Sequence, residues 1–305
     1  MSEIDKALDI LGKGGLVAFP TETVYGLGAD ATNDRAVAGI YAAKGRPQFN
    51  PLIAHVLDVE AAFELAEFSG DALKLAARFW PGPLTLVLPR RSPCPVSMLA
   101  SAGLPSLALR VPAHPMALEL LREFGRPVVA PSANPSGRIS PTTAEHVRQG
   151  LGSKVDLVLD GGPSAVGLES TIVSFLDERP RLLRSGGLSR QAIEAALGYA
   201  LEVGPVAGPL HAPGQLDSHY APQARMRLNA DNWREGEARL GFGAHDAPLN
   251  LSRSGDVVEA AANLFSMLHQ LDAQKPEMIA VAPIPNSGLG EAINDRLTRA
   301  AAPRT

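Results

Sequence analysis

Lysine, arginine and hydroxyl side chains follow several short apolar runs of this sequence, at the points where strands are expected to end. Lys44 and Arg46 stand two residues apart in a loop that also holds glycine and proline. Lysine offers phosphate a compact point charge and arginine a planar fork of donors, so the pair suits a polyanionic substrate. Both cations also lie where a helix is expected to end, and solvated cations there favour the helix dipole. The residues alone leave phosphate binding and surface solvation open.

Arg110 interrupts an apolar run, 107–111, that is expected to lie in a sheet. A buried guanidinium needs an anionic partner, which is either a carboxylate of the protein or a carboxylate of a substrate. Ser170 begins another predicted strand and Arg184 ends one, and both adjoin glycine-bearing loops. Ligands of open α/β sheets gather in such loops at strand ends, so these positions are candidates for binding.

Two further polar segments have a structural explanation beside the functional one. Ser132 and Asn134 lie in a short turn, where they either bind a ligand or make ordinary turn hydrogen bonds. Thr142 stands three residues before Glu145, which predicts a capping box at the start of a helix.

The loop after the first predicted strand reads Pro-Thr-Glu-Thr-Val-Tyr-Gly-Leu-Gly over residues 20–28. Thr21, Thr23 and Tyr25 would share one face if the chain stays extended there. A ligand site and a half-buried strand face explain this pattern equally well.

Several familiar catalytic motifs are missing from the sequence. It contains no G-x-x-x-x-G-K-[S/T] phosphate loop, and the Gly-Lys-Gly-Gly run at 12–15 is interpreted as a helix terminator. The seven histidines show no H-E-x-x-H spacing, and no G-x-S-x-G nucleophile elbow occurs. Nucleotide binding therefore needs another route, and neither a histidine-bound catalytic metal nor covalent catalysis is indicated.

Strand-like and helix-like runs alternate along the first two thirds of the chain. Short β-branched or leucine-rich runs, bounded by glycine or proline, predict strands at 15–20, 84–88, 107–111, 127–130, 155–159, 170–175 and 181–184. Amphipathic runs predict helices at 34–43, 71–80, 116–124, 143–151 and 190–197. The mixture indicates an α/β domain with an open, twisted, mixed sheet and helices.

The periodic pattern stops between residues 204 and 222, where proline and glycine are frequent. This composition predicts a stiff linker, and we interpret it as a possible lid of the active site. Beyond it, strand-like runs at 226–229, 239–242 and 278–282 alternate with helical runs at 257–271 and 289–301. The predicted organisation is a catalytic domain at 1–203, a linker at 204–222 and a smaller, Rossmann-like α/β domain at 223–305.

Composition narrows the function class. The chain has 305 residues and a net charge of −4, so it creates no general field for nucleic acid or anionic membranes. A single cysteine, Cys94, excludes an intramolecular disulfide and fits a reducing compartment. Acidic residues among the first six stand where an export signal needs positive charge, and no transmembrane segment is expected. A cytoplasmic location is the expectation.

Taken together, several segments resemble the YrdC-like family of L-threonylcarbamoyladenylate synthases over about residues 5 to 200. The segments are Lys44-Gly-Arg46, the 20–28 loop, Pro81-Gly-Pro-Leu-Thr85, Arg110-Val-Pro112, Pro131-Ser-Ala-Asn134 and Gly167-Leu-Glu-Ser-Thr171. The runs at 219–222 and 288–297 look like the longer, two-domain form. The resemblance implies an enzyme that converts L-threonine, bicarbonate and ATP into threonylcarbamoyl-AMP, pyrophosphate and water. Mg²⁺ would accompany the ATP. This is the first step of N6-threonylcarbamoyladenosine synthesis at position 37 of tRNA.

The resemblance also assigns roles by position. It implies that Lys44 and Arg46 are catalytic, with Lys44 near the carbamate and the α-phosphate. The threonine site would be formed by Thr23, His55, Arg110, Ser132 and Ser170, with Arg110 on the substrate carboxylate. The ATP site would be formed by Arg46, Asn50, Ser106, Asn134, Thr142, Arg184 and Tyr220. No metal bound by protein side chains is expected.

Two other functions are compatible with parts of this pattern. One alternative is that the cations expected at the strand ends form a basic cavity that binds structured RNA and catalyses no reaction. The near-neutral composition of the chain argues against it. Carbamoyl transfer in metalloenzyme maturation is carried out by larger relatives with zinc-binding modules, which a chain with one cysteine lacks. The synthase hypothesis also implies a partner, a downstream tRNA threonylcarbamoyl transferase. It leaves direct contact between this protein and tRNA open.

Overall fold

The computed structural model describes residues 2–204 and 219–303. Their helices are α1 Glu3–Gly12, α2 Asp34–Lys44, α3 Val59–Phe63, α4 Gly70–Phe79, α5 Pro115–Phe124, α6 Ala144–Leu151, α7 Arg190–Leu197, α8 Val257–Ala273 and α9 Gly290–Ala301. The strands of the N-terminal region are β1 Val17–Phe19, β2 Gly26–Asp30, β3 Ile53–His55, β4 Leu84–Pro89, β5 Ser106–Arg110, β6 Val128–Val129, β7 Leu157–Val158, β8 Thr171–Ser174, β9 Arg181–Arg184 and β10 Glu202–Val203. Those of the C-terminal region are β11 Arg225–Arg227, β12 Ala238–Gly241, β13 Leu249–Asn250 and β14 Met278–Val281.

The N-terminal strands form one sheet of ten strands in the order β10-β9-β8-β4-β5-β3-β6-β2-β1-β7. The sheet is mixed, because β3 runs parallel to β5 while β4 runs antiparallel to β5. β8 is parallel to β4 and antiparallel to β9, so the start of β8 lies beside the end of β9. This topology confirms the open, mixed α/β sheet that the sequence predicts.

The C-terminal strands form a second sheet in the order β11-β14-β12-β13, with every pair parallel. Its helices α8 and α9 supply buried faces that include Leu264, Phe265, Ile293 and Leu297. A small, all-parallel sheet with helices confirms the predicted Rossmann-like second domain.

Helix α2 shows how local sequence positions a functional segment. Asn33 caps its N-terminus by accepting hydrogen bonds from the backbone N–H groups of residues 35 and 36. Gly45 ends it in the left-handed region, with φ of 62°, which a residue with a side chain rarely adopts. The chain therefore turns sharply after Lys44, and Arg46 lies at the start of the next loop.

The two sheets meet at an apolar seam. Val24, Ile139 and Leu168 of the N-terminal region share one buried cluster with residues of α8 and α9. Gly167 lies against α8 so closely that a Cβ there would stand 2.5 Å from the carbonyl oxygen of Ala261. A larger residue at 167 would push the two domains apart.

Most predicted elements are present, with three exceptions in detail. Residues 22–24 form a bend and interrupt the extended chain, because the Thr21 hydroxyl donates to the Val24 carbonyl at 2.7 Å. The hydroxyl of Tyr25 donates to the carbonyl of Gly162, whereas Thr23 lines the cavity described below. The capping box at Thr142 is wrong as well, because Thr143 is the N-cap of α6 and Thr142 precedes it.

The remaining predictions about organisation are only partly covered. Residues 205–218 of the predicted linker lie outside the described residues, and the domain boundaries stay predictions. The first sheet lies before the linker and the second after it. Within the described residues, no helix has the length and apolar character needed to cross a membrane.

Candidate active site

The ends of β3, β5, β6 and β9 and the start of β8 surround one hollow, called the cavity below. Its empty volume is about 470 Å³. It is lined by Thr23, Val24, Arg46, Ile53, His55, Arg110, Ala130, Pro131, Ser132, Glu169, Ser170, Arg184, His219 and Tyr220. Eight of these are residues that the sequence placed in the site. The cavity lies where ligands of open α/β sheets generally bind.

Arg46 enters the cavity from the loop after α2. Its side chain is buried, and its Nε and Nη2 atoms donate to the carbonyls of Asn50 and Pro51 at 3.2 and 3.0 Å. Burial lowers its pKa to about 10, which leaves the guanidinium charged at neutral pH. The carbonyl partners carry no net charge, so the positive charge of Arg46 is available to an anion.

Arg110 ends β5 and has a carboxylate partner within the protein. Its Nη2 donates to Glu22 Oε1 at 2.6 Å and to Thr23 Oγ1 at 2.9 Å, and its Nε donates to the Gly82 carbonyl. Glu22 is fixed in turn by the backbone N–H of Ala113. The structural carboxylate left open by the sequence therefore exists. Arg110 Nη1 donates no hydrogen bond to any described residue, so the guanidinium keeps donors for a second anion.

Arg184 ends β9 beside the start of β8. Its Nε and Nη2 atoms donate to the Ser170 carbonyl at 3.1 and 2.8 Å, and Nη2 also lies 3.2 Å from Ser170 Oγ. Ser170 Oγ shares a 2.7 Å hydrogen bond with the hydroxyl of Thr85. Burial lowers the pKa of Arg184. The two residues thus form one rigid wall of the cavity.

Lys44 lies behind the cavity wall. Its Nζ donates to the carbonyls of Ser132 and Asn134, both at 2.5 Å, and the side chain is 4% exposed. Burial, and next the charge of Arg46, hold its pKa well below the usual value. Lys44 therefore fixes the turn that carries Ser132 and Asn134, close enough to Arg46 for the two charges to interact.

Buried polar atoms without hydrogen-bond partners concentrate at this site. Among the described residues there are seven such side-chain atoms, and five belong to His55, His219, Tyr220, Asn50 and Asn134. Burial of an unpaired polar atom costs about 1 to 3 kcal/mol, so their accumulation marks a place prepared for a ligand. Burial lowers the pKa values of His55 and His219 to about 3, which keeps both imidazoles neutral.

Five predicted site residues lie beside the cavity and do not line it: Lys44, Asn50, Ser106, Asn134 and Thr142. Ser106 begins β5, and the pairing of Ile53 with Ala108 puts it alongside the loop that holds Arg46. Asn134 lines an adjacent pocket with His146 and His269. Thr142 lies 3.4 Å from His146 Nδ1, on the same side. These residues therefore surround the cavity on its Arg46 and α6 sides.

Three residues of the cavity region were missed by the sequence reasoning: Glu22, Glu169 and His219. Glu22 stands between the two threonines of the 20–28 loop, and Glu169 stands beside Ser170 in the 167–171 motif. His219 precedes Tyr220 and packs edge-on against its ring. In the sequence, the one sign that these residues matter is that each lies inside a recognisable motif. The ion-pair partners of the two glutamates can be identified only from the folded structure.

Comparisons with known proteins agree with this architecture. A family model described as "Telomere recombination" (Sua5, YciO, YrdC) matches residues 9–186, and one described as "Threonylcarbamoyl-AMP synthase, C-terminal domain" matches residues 188–302. The threonylcarbamoyl-AMP synthase of Bacillus subtilis is 39% identical, covering 99% of this chain and 94% of its own. The corresponding protein of Pyrococcus abyssi is 40% identical over 96% of this chain and 92% of its own.

A solved structure of P. abyssi Sua5 complexed with L-threonine superposes with a TM-score of 0.88. It is 37% identical and covers 99% of this chain and 95% of its own. Together these relatives place the chain among AMP-forming enzymes of the nucleotidyltransferase type. The chain belongs to the Sua5 family of threonylcarbamoyl-AMP synthases, in its two-domain form. This confirms the family resemblance seen in the sequence.

Proposed function

We propose that this protein joins L-threonine and bicarbonate into a carbamate and adenylates it with ATP. The products are threonylcarbamoyl-AMP, pyrophosphate and water, for use in tRNA modification. The carrying observation is that Arg46, Arg110 and Arg184 line one cavity that also contains unpaired buried polar atoms. Each substrate carries an anionic group, and fixed cations hold such mutually repelling groups together.

The threonine end of the cavity is proposed to lie around Arg110. Its Nη1 atom can donate to the substrate carboxylate while Nη2 stays on Glu22 and Thr23. Ser132 and Ser170 offer hydroxyls nearby, and His55 offers a neutral imidazole whose Nδ1 lacks a partner. A neutral imidazole can accept a hydrogen bond from an ammonium or hydroxyl group of an amino acid.

The nucleotide end is proposed to lie around Arg46 and Arg184. Asn50, Ser106, Asn134 and Thr142 surround it on the side of the 46–51 loop and α6. Mg²⁺ is proposed to arrive as part of the ATP substrate. No group of three or more histidine, cysteine or carboxylate residues that could hold a metal ion occurs in the ranges 2–204 and 219–303.

The chemistry needs no nucleophile from the protein. The amine of threonine attacks the carbon of bicarbonate, and loss of water leaves a carbamate. An oxygen of the carbamate then attacks the α-phosphorus of ATP as pyrophosphate leaves. Lys44 and Arg46 are proposed to stabilise the negative charge that grows on the α-phosphate. Burial lowers the pKa of Lys44, so an incoming phosphate would favour its protonated form.

Residues 219–222 are proposed to be the inner end of a lid. Tyr220 is buried against Phe265 of α8, and its backbone has φ of 63°, a strained conformation for a tyrosine. The N–H of Ala221 donates to the Gly137 carbonyl at 2.8 Å, next to the turn that carries Asn134. Residues 219–221 thus run from the cavity lining to the turn that carries Asn134.

The direct test measures pyrophosphate release with ATP while L-threonine and bicarbonate are omitted in turn. The proposal expects release to require both, and release that ignores either one would contradict it. Binding of structured RNA is measured alongside, as a function of salt. RNA affinity that falls steeply with salt, without any turnover, would favour the RNA-binding function instead. The proposed partner is a downstream tRNA threonylcarbamoyl transferase, and the proposed location is the cytoplasm.

A further inference from the structure

Arg296 of the C-terminal domain reaches the wall of the cavity in the N-terminal domain. It lies on α9, is 1% exposed, and is the largest fully buried side chain among the described residues. Its Nε donates to Glu169 Oε2 at 2.8 Å, and its Nη2 donates to the Ser185 carbonyl at 2.9 Å. Its guanidinium carbon also lies 4.9 Å from the centre of the Tyr220 ring. One side chain therefore touches the cavity wall and the proposed lid.

The two groups that Arg296 holds flank predicted substrate-binding residues. Glu169 precedes Ser170, and Ser185 follows Arg184. The two segments are packed closely, since a Cβ at Gly186 would stand 2.3 Å from the Glu169 carbonyl oxygen. The backbone N–H of Gly187 donates to that same carbonyl at 2.8 Å. Movement at either contact of Arg296 would therefore be passed on to Ser170 and Arg184.

The charge of Glu169 matters because the cavity must accept anions.

 Glu169 lines the cavity, and its Oε1 accepts a hydrogen bond from Ser140. Burial alone would raise its pKa, but Arg296, Arg184 and Ser140 outweigh burial and lower the pKa. The carboxylate is therefore ionised, and Arg296 is its ion-pair partner. Without Arg296, a buried negative charge would face the incoming phosphates and carboxylates.

We propose that Arg296 is a positioning residue that the C-terminal domain supplies to the active site of the N-terminal domain. It neutralises Glu169 and fixes the two segments that present Ser170 and Arg184. Through both effects Arg296 increases the affinity of the cavity for its anionic substrates. This part of the inference rests on the proposed function. The C-terminal domain thereby completes the site through a residue that touches no substrate itself.

The test compares Arg296→Gln with Arg190→Gln in the full chain. Arg190 forms the other interdomain ion pair relevant here, with Glu291 at 2.8 Å, and it does not line the cavity. We expect Arg296→Gln to raise KM for ATP and threonine about tenfold or more, with a smaller change in kcat. Arg190→Gln is expected to leave both KM values within about twofold, since neither Arg190 nor Glu291 lines the cavity.

A second arm separates charge neutralisation from domain docking. In the double variant Glu169→Gln with Arg296→Gln, both buried charges are removed, so most of the lost affinity is expected to return. Arg296→Lys keeps the charge and loses the fork, and it is expected to lie between wild type and Arg296→Gln. Equal effects of Arg190→Gln and Arg296→Gln, or a double variant as weak as Arg296→Gln, would overturn the proposal.

Binding of inorganic pyrophosphate by calorimetry keeps this test independent of the reaction. If wild type binds pyrophosphate and shows no threonine-dependent turnover, the proposed function fails while the Arg296 inference is still decided by the variants. If wild type turns over normally and Arg296→Gln binds pyrophosphate as wild type does, the Arg296 inference fails alone. Thermal melting of each variant shows whether it is folded. If Arg296→Gln does not fold, Arg296→Lys replaces it in the comparison with wild type.

Discussion

Each domain has a hollow beside the ends of its sheet strands, and the two hollows differ in the state of their polar groups. The C-terminal cleft lies beside β11, β14 and α9, with an empty volume of about 900 Å³ against about 470 Å³ for the cavity. It is lined by Leu228, Asn229, Val281, Ala282, Ile284, Asn286, Glu291, Asn294, Asp295, Leu297 and Thr298. Size alone would therefore select the wrong hollow.

The charged groups of the C-terminal cleft are already paired. Glu291 accepts from Arg190, and Asp295 accepts from Arg296 and Arg299. Asn294 donates to the Ile284 carbonyl. No arginine or lysine of the described residues lines this cleft, whereas three arginines line the cavity. The comparison teaches that a position at strand ends is not enough, and that buried cations, the spare Nη1 donor of Arg110 and unpaired buried atoms distinguish the cavity from the cleft.

The largest expected effect is that of Lys44→Ala. Removal of the ammonium deprives the α-phosphate of a fixed charge, and loss of one such group typically slows chemistry by about 10²-fold to 10³-fold. We expect no measurable product while the protein still folds. Lys13→Ala is the matched control, because Lys13 is exposed and pairs only with Asp9 on α1.

Pyrophosphate release and circular dichroism measure the two parts of this prediction. Threonine- and bicarbonate-dependent release by Lys44→Ala at the rate of Lys13→Ala would remove Lys44 from the mechanism. It would also weaken the contrast between the two hollows, since the cavity would then owe less to its cations.

The next effect concerns the proposed lid, through Tyr220→Ala. Tyr220 lines the cavity, and its hydroxyl has no partner among the described residues. Opening the cavity to water weakens the electrostatic interactions inside it, so we expect roughly a tenfold loss of ATP affinity. Tyr199→Ala is the control, because Tyr199 is a surface residue bonded to Asp71. Unchanged ATP affinity, measured by calorimetry, would refute the lid.

The sequence predicts most of the fold because the apolar periodicity of the longer elements is strong. It misses β2, Gly26–Asp30, which contains two glycines and looks like a loop. The structure supplies the reason: a Cβ at Gly28 would stand 2.7 Å from the ring of Phe19. It also misses the three-residue strand β3, and for α1, Glu3–Gly12, it indicates only the end, through the helix terminator at 12–15. Neighbours in space decide such short or glycine-containing elements.

The site was predictable in its residue types and less so in its pairings. Arg110 was expected to need an anion, and Glu22 lies 88 positions away in sequence. Glu169 and Arg296 lie 127 positions apart and in different domains. No local pattern specifies such a pair, because it depends on how α9 docks on the N-terminal sheet. The capping box failed for a local reason, since Thr143 and not Thr142 is the N-cap of α6.

A smaller effect is expected from pH on stability. Burial lowers the pKa values of His55 and His219 to about 3, against 6.5 in the unfolded chain. Well above pH 6.5 these histidines are neutral in both the folded and the unfolded chain, so they add no pH dependence to the free energy of unfolding. As pH falls from 6.5 toward 3, only the unfolded chain gains the protons, and the free energy of unfolding decreases.

Each histidine is expected to contribute a slope of about 1.4 kcal/mol per pH unit in this range. His219→Gln should flatten the dependence of the melting temperature on pH, and His245→Gln, in the C-terminal domain, is the control. An equally steep dependence in His219→Gln would mean that His219 is protonated in the folded protein. The cavity would then be less dry than its geometry implies.

The smallest effect is expected in the C-terminal cleft. Asn286 and Thr298 line it with exposed side chains, so replacing both by alanine leaves no buried polar group unpaired. We expect KM for ATP and threonine, and kcat, to stay within about twofold of wild type, as surface changes usually cost less than about 0.5 kcal/mol. Steady-state kinetics of the double variant test this directly. A KM several times higher with unchanged melting would show that the cleft binds a substrate after all. Paired carboxylates would then be no argument against a site, and the contrast between the two hollows would have to rest on something other than spare donors.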